Sequence, residues 1–359
     1  MFHRSRASRY GVVLLSLLIA CSACSYSCPR AFAGETISTT PNLQPGGSIQ
    51  GGPGSTASGF QSSALGFINT ASGSQSSALG FVNNASDTQS SAFGAGNIAS
   101  RSFSSAVGNS NVASGVGSSA VGFGNTASGF ETSAVGRNNT ADGADGSAAG
   151  SKNNITATGT QGSAFGFTNT VSGINGTAVG NTNTASGADS SAVGRNNTAS
   201  GADSSAVGRN NTASGADGSA VGRNNNITAT GIQGSAFGIT NTVSGINGTA
   251  VGNTNTVSGA DSSAFGRNNT ASGDQSFAAG FGSQTAAGAA NGVAIGNGAR
   301  ANGANAYAGG TGANAGANGT AIGNGANAGA NGAAFGNGAT STGNGAAFGD
   351  GANAAANGV

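Results

Sequence analysis

Small, apolar and polar residues alternate along this chain in a register that repeats every fourteen residues. From about residue 51, the alanine of a Ser-Ala-x-Gly half falls at Ala64, Ala78, Ala92, Ala106, Ala120, Ala134 and Ala148, always 14 apart. Two steps of 16 follow insertions, Ala148 to Ala164 and Ala220 to Ala236. A third separates Ala278 from Ala294, and the last units close up to 13 at Ala308, Ala321, Ala334 and Ala347. Twenty-one units are present. A typical one reads Ser204-Ser205-Ala206-Val207-Gly208-Arg209-Asn210 and then Asn211-Thr212-Ala213-Ser214-Gly215-Ala216-Asp217. A small residue thus recurs about every seven positions, but a helix does not fit. Each helical glycine would cost about 1 kcal/mol, and the apolar positions form no a/d stripe. The pattern predicts short strands joined by tight corners.

Single columns sharpen this. Two residues after the key alanine every unit carries glycine, as at Gly66, Gly136, Gly208 and Gly349. A fixed glycine points to positive φ or to close backbone approach. The residue between alanine and glycine is Leu, Ile, Val or Phe in 18 units, the exceptions being Ala149, Ala279 and Gly309. Stacked coil on coil at ~4.8 Å, that column becomes a continuous apolar ladder. A 14-residue coil leaves room for two strands of four or five residues, and the stack would be roughly 100 Å long. The predicted fold is all-β, a parallel β-solenoid of about 14-residue coils. Alanine and glycine make its interior thin. Ordering costs about 1–2 kcal/mol per residue, so lateral association is expected to add the missing burial.

Composition narrows the classes. Of 359 residues, 12 are Lys or Arg, 11 Asp or Glu and 68 Gly; there is one His and no Trp. Charged residues are 6% of the chain, against about 25% in ordinary domains. Glycine does not recur every third residue, which excludes collagen. The lone histidine, His3, lies in a targeting segment, so no base remains to activate the many serines; no catalytic, cofactor or metal site is expected. Calcium-binding nonapeptides need an aspartate in each turn, and here it occurs at most about once in 14 residues. Pairs such as Gly122/Gly124 and Gly296/Gly298 lack the strand–helix setting of a phosphate loop.

Arg4, Arg6 and Arg9 precede the apolar run from Gly11 to Ala20, the layout of a secretory signal peptide over residues 1–33. Ala31-Phe32-Ala33 suits ordinary signal peptidase, whereas Leu18-Ile19-Ala20-Cys21 resembles a lipobox and would make Cys21 a lipidated N-terminus. The first cleavage removes Cys21, Cys24 and Cys28; the second leaves Cys24 and Cys28 able to pair. Without residues 1–33 the chain carries about three net negative charges, so nucleic acid is not an expected partner. No later segment approaches the ~20 apolar residues of a transmembrane helix. Residues 34–50 read as a flexible lead-in, 51–283 as regular repeats, and 284–359 as degenerate repeats rich in Ala, Asn and Gly.

Charges follow the register. Arg137, Arg195, Arg209, Arg223 and Arg267 lie three residues after the key alanine, and Glu131, Asp189, Asp203, Asp217 and Asp261 lie three before it in the same five units. Where Gln takes the −3 place the +3 place is usually apolar, as in Gln61 with Phe67, and Asn175 and Asn247 go with Asn181 and Asn253. The two places are ~20 Å apart along one extended strand, so the pairing implies contact between neighbouring subunits, or else copying by duplication, since residues 147–205 recur at an offset of 72. Phe67, Phe81, Phe123, Phe167 and Phe281 at +3 would fill an interface or form a sticky exposed ladder. Lys152 sits in an insert and reads as a loop residue. Thr184, Thr198 and Thr212, with Ser186, Ser200 and Ser214, form the kind of flat hydroxyl array that ice-binding surfaces present, as does Thr156-Ala157-Thr158.

SSAVGRNNTASGAD and its variants resemble the YadA-like head repeats of trimeric autotransporter adhesins, over about residues 51–350. The resemblance implies a left-handed parallel β-roll, three chains side by side as a homotrimer, and a non-enzymatic adhesin. It would sit on a Gram-negative cell surface or outer membrane, or be released from it, and bind host or extracellular matrix proteins by many weak contacts. The alternative is a structural or ice-binding rod without a protein receptor. The sequence closes on Gly351-Ala-Asn-Ala-Ala-Ala-Asn-Gly-Val359, without the stalk and barrel strands of that family. The expectation is a head-only secreted protein, a head held by Cys21, or a truncated adhesin.

Overall fold

A computed structural model describes residues 42–44 and 46–358. The segment expected to be a signal peptide, its expected cleavage sites and Cys21 lie outside the described residues. Every described element is a strand, turn or bend. The chain winds as a parallel β-solenoid of about 22 coils, each with one long and one short strand. Long strands such as Ser191–Arg195, Ser205–Arg209 and Ser219–Arg223 stack in one sheet, Ala192 on Ala206 on Ala220. Short strands such as Thr198–Ala199 and Thr212–Ala213 stack in a second. Lengths of five and two, with three in place of five in the last four coils, replace the expected four or five for both, because the second half of each coil spends its remaining residues turning.

One more coil exists than the alanine register reveals. The lead-in contains the strands β1 (Asn42–Gln44) and β2 (Ser48–Gly51), paired antiparallel. In β2, Gln50 takes the alanine place opposite Ala64, and its Oε1 accepts the Ala57 N–H. The reading of 34–50 as a flexible lead-in is corrected for these residues: the missing alanine hid a coil.

The core is two columns of small side chains. Key alanines from Ala64 to Ala334 are at most 1% exposed, and so are the inner residues of the short strands from Ala71 to Ala328. Ile155, Val171, Ile227, Val243 and Val257 stand where other coils carry alanine. Their added volume is offset nearby. Gly146, Gly162, Gly176, Gly218, Gly234 and Gly248 replace the buried Ser or Thr that precedes the long strand in the other coils from Ser62 to Ser276, and a Cβ at Gly162 would lie 2.9 Å from Val171 Cγ1. We expect Ile155→Ala to cost about 2–4 kcal/mol through the void it leaves. Adding Gly146→Ser should recover about 1 kcal/mol by restoring the small-residue pairing of other coils. Thermal melts of the single and double variants check this, and simple additivity would refute the compensation.

The corners are made by left-handed residues three before and four after the key alanine, such as Asp203 (φ 52) and Asn210 (φ 56). Asn and Asp tolerate that conformation; Ile68 (φ 53) and Val82 (φ 54) hold it at a steric cost. Over most of the chain the invariant glycine is not the bend. In the coils from Ala64 to Ala294 it is the fourth residue of the long strand, and Gly208 has φ +117; in the last four coils it directly follows a three-residue strand, as Gly349 does.

Candidate functional site

A feature absent from the expectations above runs through the interior. Five residues after the key alanine, fifteen consecutive coils carry a buried asparagine, from Asn69 to Asn269. Asn211 represents them. Its Oδ1 accepts the N–H of Asn225 at 3.0 Å and the Nδ2 of Asn225 at 3.1 Å. Its Nδ2 faces the carbonyls of Val207 and Gly222, both at 2.8 Å, and Oδ1 of Asn197 at 3.1 Å. Each amide thus crosslinks three coils and satisfies backbone groups that would otherwise be orphaned. Ser55 begins the ladder by accepting the Asn69 N–H, and Ser283 ends it by donating to Ala279 O and Gly296 O. Ala299, Ala313, Ala326 and Ala339 then occupy the column. The column is as regular in sequence as the glycines, but asparagine usually belongs to the surface, so pattern alone does not place it inside.

The outer face of the long-strand sheet is the candidate site. Strand residues two apart share a face, so the apolar residue after the key alanine lies beside the +3 side chain, opposite the buried alanine. The expected apolar ladder therefore exists but outside: Phe165 is 41% exposed, Phe237 40% and Phe348 64%. In register it runs Val179, Val193, Val207, Val221, Phe237 and Val251. Phenylalanines at +3 are exposed too, Phe81 and Phe123 by half, and Phe67 stacks on Phe81 at 5.4 Å.

The five predicted arginines, Arg137, Arg195, Arg209, Arg223 and Arg267, all end long strands and are exposed. Arg195, Arg209 and Arg223 stand directly in register. Arg267 lies over the Phe281 ring at 5.0 Å and Lys152 over Phe167 at 5.9 Å, placing both cations on the apolar ladder. The acids Glu131, Asp189, Asp203, Asp217 and Asp261 occupy the opposite corner and are exposed. Asn175 donates to Asp189 and Asn247 to Asp261, each at 2.8 Å. Within one chain the five-residue strand, ~13 Å from first to last Cα, separates the two rows.

Asp87 and Arg101 occupy a corner position that is glycine in neighbouring coils. The Thr88 N–H, at 2.7 Å, holds the Asp87 carboxyl below its ordinary value, with smaller help from Ser102 and Arg101. Such a depressed carboxylate adds stability above the ordinary carboxylate range and loses it on acidification.

The threonine row stacks Thr170, Thr184, Thr198 and Thr212 on the short-strand sheet, and Asn154 and Asn226 interrupt it. Among the described residues, no helix is long and apolar enough to cross a membrane.

Comparison with known proteins agrees with the coil architecture. The YadA head domain repeat (2 copies) matches at residues 57–83, 71–97, 102–125, 157–183, 172–197, 185–211, 199–225, 229–255 and 258–283, together more than half of the chain. No curated protein matches the chain. The matched segments all fall in coils built on the long strand, the left-handed corners and the interior asparagine. On these grounds the chain belongs to the YadA head-repeat family.

Proposed function

We propose that this chain is the head of a non-enzymatic adhesin, a left-handed β-roll assembled as a homotrimer. In this reading it is exported to the surface of a Gram-negative bacterium, or released from it, and binds host or matrix proteins. The observation that carries the proposal is the outer apolar ladder, about two-fifths exposed at Phe165, Phe237 and Ile322 in a lone chain whose core is mostly alanine. Burying apolar surface yields about 25 cal/mol per Å², and an alanine core collects little of it per ordered residue. Three ladders facing one axis would supply the shortfall. Binding then follows from repetition: similar coils offer many weak contacts that add as avidity.

Sedimentation of the full chain is expected to give an elongated trimer. Val193→Asp with Val207→Asp places charge on the outer ladder without touching the alanine core. This variant should lose the trimer, and with it at least tenfold in apparent affinity for immobilised matrix protein. An unaltered trimer would remove the ladder from the interface, and a monomeric wild-type chain would sink the reading.

A further inference from the structure

The outer face carries a second pattern, finer than the apolar ladder. Residues at −3 and +3 of a coil are matched in kind in most coils, the exceptions being Phe103 with Asn109, Gly117 with Phe123, Asp145 with Ser151, Asn305 with Thr311 and Asn344 with Asp350. Five of the six acids at −3 go with an arginine at +3: Glu131 with Arg137, Asp189 with Arg195, Asp203 with Arg209, Asp217 with Arg223, and Asp261 with Arg267. Asp145, whose +3 residue is Ser151, has Lys152 one place further on. Glutamines go with apolar residues, Gln61 with Phe67, Gln89 with Ala95 and Gln233 with Ile239 among them.

Duplication alone does not produce this. The Glu131–Arg137 coil lies outside the repeated block and uses a different acid. The matched pair Asn318 and Asn324 belongs to a 13-residue coil of another composition. Contact within one chain does not produce it either, because the −3 residue lies at the corner before the long strand and the +3 residue is at that strand's far end. In one chain the rows are instead stacked like on like, Arg195 on Arg209 on Arg223 in register, an arrangement that repels until opposite charge is brought alongside.

We infer that the −3 row of one subunit pairs with the +3 row of the next, and that these rows fix the axial register of the assembly. The inference rests on the trimer proposed above. When parallel sheets face a common cyclic axis, the start of each long strand abuts the end of its neighbour's, a heterologous contact that closes as a ring. Aligned coils then meet acid to arginine, glutamine to apolar and asparagine to asparagine. A slip of two or three coils would set Arg209 against Gln or Asn, so the three-coil block at Asp189 to Arg223 acts as the key.

Three variants of the full chain test this. Arg195, Arg209 and Arg223 are changed to Asp in the first. In the second, Asp189, Asp203 and Asp217 are changed to Arg. The third carries both sets. The single-row variants should dissociate at concentrations at least tenfold higher than wild type, and the double should recover. Refolded together, wild type and the double variant should sort into separate homotrimers, with mixed trimers depleted at least about tenfold from random mixing, read by native mass spectrometry. Random mixing, or single-row variants as tightly assembled as wild type, would overturn the register role while leaving the trimer standing. A wild-type chain that is itself monomeric would remove both.

Discussion

One methyl group at Gly208 is expected to destabilise the solenoid by at least about 4 kcal/mol, more than most changes to its core. Two costs add. With φ +117, Gly208 occupies a conformation that side chains rarely adopt. A Cβ there would also lie 2.1 Å from the Gly222 carbonyl oxygen and 3.1 Å from Asn211 Nδ2. The first obstacle is backbone, held by the coil-to-coil ladder, so it does not move aside. Two controls divide the costs. Gly349 has φ +119 with nothing within 4 Å of its would-be Cβ, so Gly349→Ala carries only the conformational term. Gly282, left-handed at φ +66 and equally unobstructed, should lose about 1 kcal/mol on replacement by Ala. Thermal melts should rank the variants with Gly282→Ala mildest and Gly208→Ala most severe. Equal losses at Gly208 and Gly349 would show that stacking distance does not set the glycine column.

The asparagine ladder carries the second large effect. Asn211→Ala leaves the Asn225 N–H and the Val207 and Gly222 carbonyls short of a partner, and each unpaired buried group costs about 1–3 kcal/mol. The net loss should be about 2–4 kcal/mol. In native-state hydrogen exchange it should appear first at the Asn225 amide. Asn211→Asp should be worse at neutral pH, since it aims a carboxylate oxygen at three oxygens in a dry interior. Burial raises that carboxyl's folded value above its unfolded value of about 3.9. The folded state then holds a proton that the unfolded state has lost, so stability falls as pH rises from about 4, by ~1.4 kcal/mol per unit, until the folded group ionises. A stability independent of pH between 4 and 7 would show that the site admits water.

Much of this protein was legible in its sequence because a solenoid repeats its local chemistry. The fourteen-residue step, the glycine column and the alanine column follow from spacing alone, since a stacked coil meets the same neighbour every turn. Matching of −3 with +3 is likewise visible as text. Other features required the coil to close. Which of Ala206 and Val207 faces inward depends on the direction in which the corners at Asp203 and Asn210 turn the strand. Asn211 is polar and adjoins the exposed Asn210, and only the wound chain places its amide among carbonyls of two other coils. The coil at Gln50 was hidden for a related reason, its alanine being absent while its backbone pairing is intact. Sequence by itself determined the period and the residue type at each step, because those are one-dimensional properties that every coil shares. Tertiary structure alone decided which column is core, which is crosslink and which is open face, because sidedness exists only once the ribbon has closed around an axis.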